Sequence, residues 1–135
     1  MAFLLDTNVL LELRKGKRAD PNVIAWARAH LHDRIYISVL SIGEIRKGIE
    51  LLRAKNPKQC PPFETWLSHL MDQYQDDILP INIEIVERWG ELNARNPMPV
   101  IDSLIAASAL EYRLTVVTRN TRDFAPTKVP VVNPF

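Results

Sequence analysis

At 135 residues, with 47% hydrophobic and 24% charged residues, the chain has the size and composition of one globular domain with a substantial core. Its net charge of +1 gives no global argument for nucleic-acid binding, so such a role requires basic side chains that are clustered locally. Its single cysteine excludes an internal disulfide, and the sequence shows neither a secretory signal nor an apolar run near the roughly 18 residues of a membrane span. We therefore expect residues 1–135 to form one cytoplasmic domain that does not enter a membrane.

The first half of the chain is predicted to alternate between strands and helices. Residues 3–5 are a short apolar run that ends at Asp-Thr-Asn, which are helix-starting residues, so a buried strand is predicted to feed a helix. A second helix is predicted to begin at Asp20-Pro21, an N-cap and N1 pair. Residues 35–37 form the next predicted strand, and the capping-box pattern Ser41-x-x-Glu44 is predicted to open a third helix.

The second half continues the alternation. Asn56-Pro57 and Pro61-Pro62 bracket a predicted loop, and an amphipathic helix follows it. Residues 78–81 are predicted as an edge strand because Pro80 lacks a donor for a central position. The remaining predicted elements are helices over 85–92 and 100–112, a strand over 115–118, a turn over 120–124 and an edge strand over 129–132. Such alternation indicates an α/β fold with a parallel or mostly parallel sheet covered on both faces.

Four acidic residues border these apolar segments: Asp6, Glu44, Asp102 and Asp123. The carboxyl ends of parallel strands meet at one edge of a sheet, so acids that are distant in sequence can converge there. Converging carboxylates repel one another unless a proton or a cation holds them together, and Mg²⁺ prefers such all-oxygen sites. Each acid alone has a structural alternative as a helix cap, a first-turn charge or an ion-pair partner. Because Glu44 and Asp102 stand beside apolar helix positions, both are predicted to lie near the core-facing side, where an unpaired carboxylate is costly, and the set therefore favours a shared cation.

Four segments in this order and spacing resemble the motifs of PIN-domain ribonucleases: LLDTNVL, SVLSIGEIRKGIE, IDSLIAASAL and VTRNTRDF. The resemblance covers nearly the whole chain and is closest to the VapC-like toxin of type II VapBC toxin–antitoxin pairs. It implies a PIN-like three-layer α/β/α sandwich with a central, mostly parallel sheet. It also implies endonucleolytic cleavage of RNA that depends on Mg²⁺ or Mn²⁺.

The same resemblance places Asp6, Glu44 and Asp102 on the first three acids of the family. At the fourth position we expect Asp123, because it is the only carboxylate in that stretch, and Asn120 is the alternative as a residue that holds a metal-bound water. A divalent ion at such a site could lower the pKa of a bound water and polarise a phosphodiester, which predicts in-line hydrolysis of RNA.

Other residues near the acids are predicted to assist. Thr7 and Thr118 are candidates for hydrogen bonds to a carboxylate or a phosphate, with helix or strand capping as the alternative. Basic side chains close in sequence to the acids are candidates for phosphate contacts, with a solvated face as the alternative; these are Arg14, Lys15, Arg46 and Arg119.

The resemblance also implies partners, namely a small cognate antitoxin and a second copy of the chain in a homodimer. The main competing function is a non-enzymatic, receiver-like signalling or docking module that binds Mg²⁺ and accepts a phosphoryl group on an aspartate. Such modules usually carry paired acids after the first strand and an aspartate after a middle strand. This chain has a single Asp6 at the first place and no acid after Tyr36-Ile37, which argues against that function.

Overall fold

The fold is built on one parallel sheet, as seen in a computed structural model that describes residues 1–135. Its strands lie in the order β3-β2-β1-β4-β5, and every neighbouring pair is parallel. The strands are β1 (Ala2–Leu5), β2 (Arg34–Ser38), β3 (Ile78–Leu79), β4 (Thr115–Val117) and β5 (Val131–Val132). The prediction of a mostly parallel sheet is therefore confirmed, and the two strands predicted as edges, β3 and β5, lie at the edges.

Seven α-helices connect and cover these strands. They are α1 (Thr7–Leu13), α2 (Pro21–Ala29), α3 (Val39–Lys55), α4 (Cys60–Gln73), α5 (Ile83–Arg95), α6 (Val100–Tyr112) and α7 (Thr121–Phe124). The bounds of α6 coincide with the prediction. Helix α2 begins as predicted, because the Asp20 carboxylate accepts a hydrogen bond from the Asn22 N–H at 2.8 Å and Pro21 occupies the first turn.

Two local predictions were wrong. Helix α3 does not open at Ser41: the Ser38 hydroxyl at the end of β2 accepts the Leu40 N–H at 3.0 Å, so the helix begins at Val39. The predicted loop between the two proline pairs is instead a short 3-10 helix, Pro57–Gln59, followed directly by α4. Pro61-Pro62 fits in the first turn of α4 because the N–H groups there have no intrahelical partner.

The hydrophobic core is divided between the two faces of the sheet. Phe3 and Leu5 of β1 belong to a cluster with side chains of α1 to α4, whereas Leu4 belongs to a second cluster with Ile105 of α6 and Phe124 of α7. This follows from the alternation of side chains along a strand, and it produces the three layers that were predicted. None of the helices has the length and apolar character needed to cross a membrane.

The chain reverses its direction of travel across the sheet between β1 and β4. From β1 it proceeds through β2 to the β3 edge, and it then returns to form β4 on the other side of β1. The crevice outside the carboxyl ends of two such strands is the usual ligand site of open α/β sheets. Leu5 pairs with Val117, and the backbone N–H of Asp6 donates to the Val117 carbonyl at 2.9 Å, so Asp6 and Thr118 enter this crevice side by side.

Candidate active site

Asp6 follows β1 at this crevice and is the only acidic residue that is fully buried, with 4% of its surface exposed. Its Oδ1 accepts the backbone N–H of Thr7 at 2.8 Å, and its Oδ2 accepts the Thr118 hydroxyl at 2.8 Å and Asn8 Nδ2 at 3.2 Å. Burial raises the pKa of Asp6, the hydrogen bonds from Thr118 and Thr7 oppose that rise, and the charge of Glu44 adds to it. Asp6 is therefore a buried carboxylate held in place by three donors.

Thr118 and Asn8 join the ends of β4 and β1 around that carboxylate. The Thr118 hydroxyl is buried and also accepts hydrogen bonds from Asn8 Nδ2 at 3.2 Å and from the backbone N–H of Asn120 at 3.0 Å. An ionised carboxylate can only accept, so the single hydroxyl proton of Thr118 points to Asp6. Asn8 Oδ1 in turn accepts the backbone N–H of Arg119 at 3.1 Å, so Asn8 connects three segments of the site.

Glu44 reaches the same region from α3 through a short chain of hydroxyl groups. The Thr7 hydroxyl lies 2.6 Å from Glu44 Oε1 and 2.8 Å from the hydroxyl of Ser41, which is buried. Because the carboxylate only accepts, Thr7 donates to Glu44 and is left to accept from Ser41. These bonds connect the first residue of α1 with α3 and fix the direction of the Glu44 side chain.

The prediction that Glu44 lies near the core-facing side was wrong, because Glu44 is exposed. Its neighbour Ile45 is buried, and one residue of an α-helix turns the side chain by about 100°. That rotation places Glu44 at the rim of the crevice, where Thr7 can bind it. Among these acids, only Asp6 is therefore fully buried, and Asp102 is half-buried, so the cost of burying a carboxylate falls mainly on Asp6.

Asp102 lies in the first turn of α6. Burial and then the charges of Asp6, Glu44 and Asp123 raise the pKa of Asp102 to about 6, and no hydrogen bond or positive charge counteracts them. Asp6 and Glu44 precede Asp102 by more than 50 residues and Asp123 follows it on α7, yet the charges of all three act on this one carboxylate. The four acids predicted from the sequence thus lie near enough in the structure for the other three to affect the pKa of Asp102.

Asp123 and Asn120 are the two candidates for the fourth position of the site. Asp123 is exposed on α7, and its negative charge contributes to the raised pKa of Asp102. Asn120 is the N-cap residue of α7, but its side chain makes no capping hydrogen bond, and only its backbone N–H contacts Thr118. The electrostatic effect on Asp102 favours Asp123, while the unpaired amide of Asn120 remains turned to solvent, since Asn120 is exposed.

The acids offer oxygen ligands and excess negative charge. None of the four forms an ion pair with a lysine, arginine or histidine; all ion pairs of the chain involve other acids. Such a donor set suits a hard divalent cation by its chemistry. At the same time, no three carboxylate, histidine or cysteine side chains stand close enough to one another to hold a metal ion by themselves.

The four basic residues predicted to contact RNA have different surroundings. Arg46 is committed to a pair with Glu64 at 2.6 Å, and Lys15 pairs with Glu12 at 3.0 Å. Arg14 lies over the ring of Phe63, 4.1 Å from its centroid. Arg119 lies over the ring of Phe135 at 4.0 Å and is attached through its backbone to Asn8. Of the four, Arg119 is the one directly connected to the hydrogen-bond network of Asp6.

Comparison with known proteins agrees with this site geometry. Residues 3–129 of the chain match the PIN domain. The chain belongs to the PIN-domain family. A plasmid stability protein, StbB of Pseudomonas syringae pv. tomato, is 31% identical over 98% of both chains, and the VapC ribonuclease Y4jK of Sinorhizobium fredii is 29% identical over 98% of this chain and 97% of its own length. The structure is also similar to that of one chain in a solved toxin–antitoxin complex from Klebsiella pneumoniae. The TM-score is 0.68 at 30% identity, and the match covers 98% of this chain and 97% of that chain.

Two polar residues of this PIN domain were missing from the sequence-based set of site residues, namely Asn8 and Ser41. Asn8 stands two residues after Asp6 in the helix-starting tripeptide, which is a local signal that a side chain there lies beside the strand end. Ser41 precedes Glu44 by three residues on α3, so the two side chains share a face of that helix. The same spacing that suggested a capping box therefore indicates their common contact with Thr7.

Proposed function

We propose that the protein is an endoribonuclease that depends on a divalent metal ion and acts as the toxin of a toxin–antitoxin pair. The observation that carries the proposal is the placement of four carboxylates at the crevice beside β1 and β4, where burial and the charges of the other three acids raise the pKa of Asp102 to about 6 without any cationic partner. The names of the relatives, a VapC ribonuclease among them, support RNA as the substrate. One sheet with both faces covered supports treating residues 1–135 as one domain.

The carboxylates would hold Mg²⁺ or Mn²⁺, with Asp6 and Asp102 as the principal ligands and Glu44 and Asp123 at the rim. The ion would lower the pKa of a bound water and polarise a phosphodiester oxygen. Because no three acids are close enough to complete a site alone, the arrangement suits an ion that retains several waters, as Mg²⁺ usually does.

The residues of the chain then have distinct tasks. Thr118 and Asn8 keep Asp6 in a fixed orientation, which preserves its ligand geometry. Thr7 holds Glu44 at the rim, where its second oxygen can orient an attacking water by a hydrogen bond. Burial at the end of β1 lowers the local dielectric and so strengthens the attraction between Asp6 and any cation.

RNA cleavage in Mg²⁺ or Mn²⁺ against excess EDTA tests this function. Wild-type protein and the variants Asp6→Asn and Asp102→Asn are incubated with total RNA, and the products are mapped by primer extension. We expect discrete cuts that require the metal and both aspartates. Asp76→Asn is the matched control, because Asp76 is exposed and precedes β3 at the opposite edge of the sheet. Equal cleavage in EDTA, or by Asp6→Asn, would contradict the proposal.

We also propose that the protein binds a cognate antitoxin and forms a homodimer. The similarity to a toxin–antitoxin complex supports an antitoxin partner. Apolar side chains next to Glu44 support a protein contact there: Leu51 is 59% exposed, and with Val39, Leu40 and Ile101 it lines a shallow cleft that includes Glu44. Co-purification with the product of an adjacent reading frame, and light scattering of the isolated toxin, test the two partners separately.

A further inference from the structure

Arg119 is built into the site through its backbone, while its side chain extends into solvent. It follows Thr118 directly, and its backbone N–H donates to Asn8 Oδ1 at 3.1 Å. Asn8 also binds the carboxylate of Asp6, so one residue separates Arg119 from the buried acid. The side chain of Arg119 is exposed. Arg119 is therefore an exposed positive charge on a residue whose backbone is bonded to the hydrogen-bond network of Asp6.

The aromatic contact of Arg119 leaves the hydrogen-bond donors of its guanidinium free. Its Cζ lies over the Phe135 ring at 4.0 Å from the centroid, and its side chain makes no hydrogen bond or ion pair. Arg46 is the contrast, because Glu64 already occupies one of its N–H groups at 2.6 Å. Glu12 is near enough for Arg119 to lower its pKa slightly, but the Glu12 carboxylate is already bound by Lys15 and by a backbone N–H.

Phe135 is itself held in place. Its backbone N–H donates to Asn133 Oδ1 at 3.0 Å, and its carbonyl accepts Asn22 Nδ2 at 2.9 Å. Pro134 before it is buried, and the half-buried Phe135 ring packs against the core cluster under α1 to α4. The ring is therefore a fixed platform, anchored to the start of α2 and placed beside the end of β4.

We propose that Phe135 is a positioning residue that holds the Arg119 guanidinium at the mouth of the crevice, where Arg119 binds a phosphate of the RNA strand. This proposal rests on the proposed ribonuclease function. An arginine that is free in solution loses rotamer freedom when it binds a phosphate, and a ring that restrains it beforehand reduces that loss. The cation–π contact uses the face of the guanidinium, so its in-plane N–H groups remain able to bind two phosphate oxygens.

Steady-state cleavage of a single-stranded RNA oligonucleotide with one mapped cut, in Mg²⁺, tests the proposal. We expect Arg119→Ala to raise KM about tenfold, as for a lost charged hydrogen bond. Phe135→Leu should raise KM roughly two- to fivefold, which is the range of an exposed cation–π contact. Both should leave kcat within about twofold, because a contact made equally in the ground and transition states affects KM alone. Phe135→Tyr, which keeps the ring, should restore the KM of the wild-type protein.

A double-mutant cycle separates positioning from a general effect on the fold. If Phe135 acts through Arg119, the double variant Arg119→Ala/Phe135→Leu has the KM of Arg119→Ala. The salt dependence adds a second readout: Arg119→Ala should lower the slope of log KM against log salt by about 1, while Phe135→Leu retains the charge and the slope. Tyr36→Leu is the matched control, since it removes a different cation–π contact, that of Arg34 with the Tyr36 ring at 5.2 Å on β2, and leaves Arg119 and Phe135 unchanged.

The possible outcomes are distinct. Additive effects in the cycle, a changed slope for Phe135→Leu, or a KM for Phe135→Leu equal to that of wild type would overturn the positioning role while leaving the ribonuclease function intact. Equal loss in Tyr36→Leu would also overturn it, because the effect would then not depend on Arg119. Failure of the wild-type protein to cut any RNA in Mg²⁺ would instead remove the function on which the proposal rests.

Discussion

Replacing Asp102 with asparagine is expected to stabilise the metal-free protein at neutral pH and to abolish cleavage. Asp102 is partly buried and is also affected by the charges of Asp6, Glu44 and Asp123, and no hydrogen-bond donor compensates these effects. An ionised Asp102 therefore opposes folding, whereas an asparagine of nearly the same shape does not carry the charge. A gain of stability together with a loss of activity is the expected mark of a residue retained for function.

The pH dependence follows from the raised pKa of Asp102. The folded state binds the proton more tightly than the unfolded state, with a pKa of about 6 against an ordinary 3.8. The stabilising contribution of the protonated group is therefore complete below pH 3.8 and is lost as the pH rises through about 6. At about 1.36 kcal/mol per pH unit this difference amounts to roughly 3 kcal/mol, and solvent screening of a half-exposed group reduces it to roughly 1.5 kcal/mol.

Urea unfolding followed by tryptophan fluorescence in EDTA measures this effect. We expect Asp102→Asn to exceed the wild-type free energy of unfolding by about 1.5 kcal/mol at pH 7.5 and by only about 0.5 kcal/mol at pH 4.5. Asp76→Asn, at an exposed position, should change little at either pH. Saturating Mg²⁺ should raise the stability of the wild-type protein more than that of Asp102→Asn, because an ion that binds only the folded state stabilises it.

A stability difference between Asp102→Asn and wild type that does not change from pH 4.5 to 7.5 would contradict this prediction. A loss of stability in Asp102→Asn at pH 7.5 would contradict it equally. Either result would mean that neither burial nor the neighbouring carboxylates destabilise the ionised Asp102 in the folded protein.

Three further predictions concern the residues that hold the acids. Thr118→Val should lower the free energy of unfolding by about 1–3 kcal/mol at pH 7.5, because Asp6 loses a buried donor, whereas Thr118→Ser keeps the hydroxyl and most of the stability; urea unfolding distinguishes them. Asn8→Ala should lower kcat by a larger factor than it changes KM, because the substitution frees the Asp6 side chain and removes no RNA contact. Equal changes in kcat and KM would contradict that role. Ser41→Ala should weaken cleavage less than Glu44→Gln does, because Thr7 can still donate to Glu44, and the rates of RNA cleavage by the two variants provide the comparison.

Local signals were sufficient for much of the fold. Asp20-Pro21 predicted the start of α2, because the capping side chain of Asp20 and the fixed φ of Pro21 both act within one turn. The bounds of α6 follow from a continuous apolar pattern. The start of α3 could not be predicted in the same way. Ser38 and Ser41 are both good N-cap residues, and the choice depends on the pairing of Ser38 with Leu79 of β3, which is a tertiary contact.

The same limit applies to the candidate site. The positions of Asp6 and Asp102 at element boundaries could be predicted, because strand ends and first turns are visible in the sequence, whereas Glu44 lies inside α3, which begins at Val39. Partners far along the chain could not be. Thr118 bonds Asp6 across 112 residues, and Arg46 pairs with Glu64 across 18, so neither the support of Asp6 nor the occupation of Arg46 has a local signal. The exposure of Glu44 was missed because adjacent residues of a helix point in different directions, so an acid next to a buried residue can still face the rim of the crevice.

Asp6 and Asp102, the two principal ligands of the proposed cation site, differ in how the protein supports their negative charges. Asp6 is more deeply buried than Asp102, yet three hydrogen bonds oppose the rise of its pKa, so its charge is supported by the protein whether or not an ion is bound. Asp102 has no such support, and its burial together with the charges of the other acids raises its pKa to about 6. A cation that enters beside Asp6 would therefore relieve Asp102 most, and release of the Asp102 proton should accompany metal binding at pH values near and below 6. Apparent metal affinity should accordingly rise with pH through this range, and it should do so less in Asp102→Asn than in Asp76→Asn, because only the first substitution removes the proton that competes with the ion.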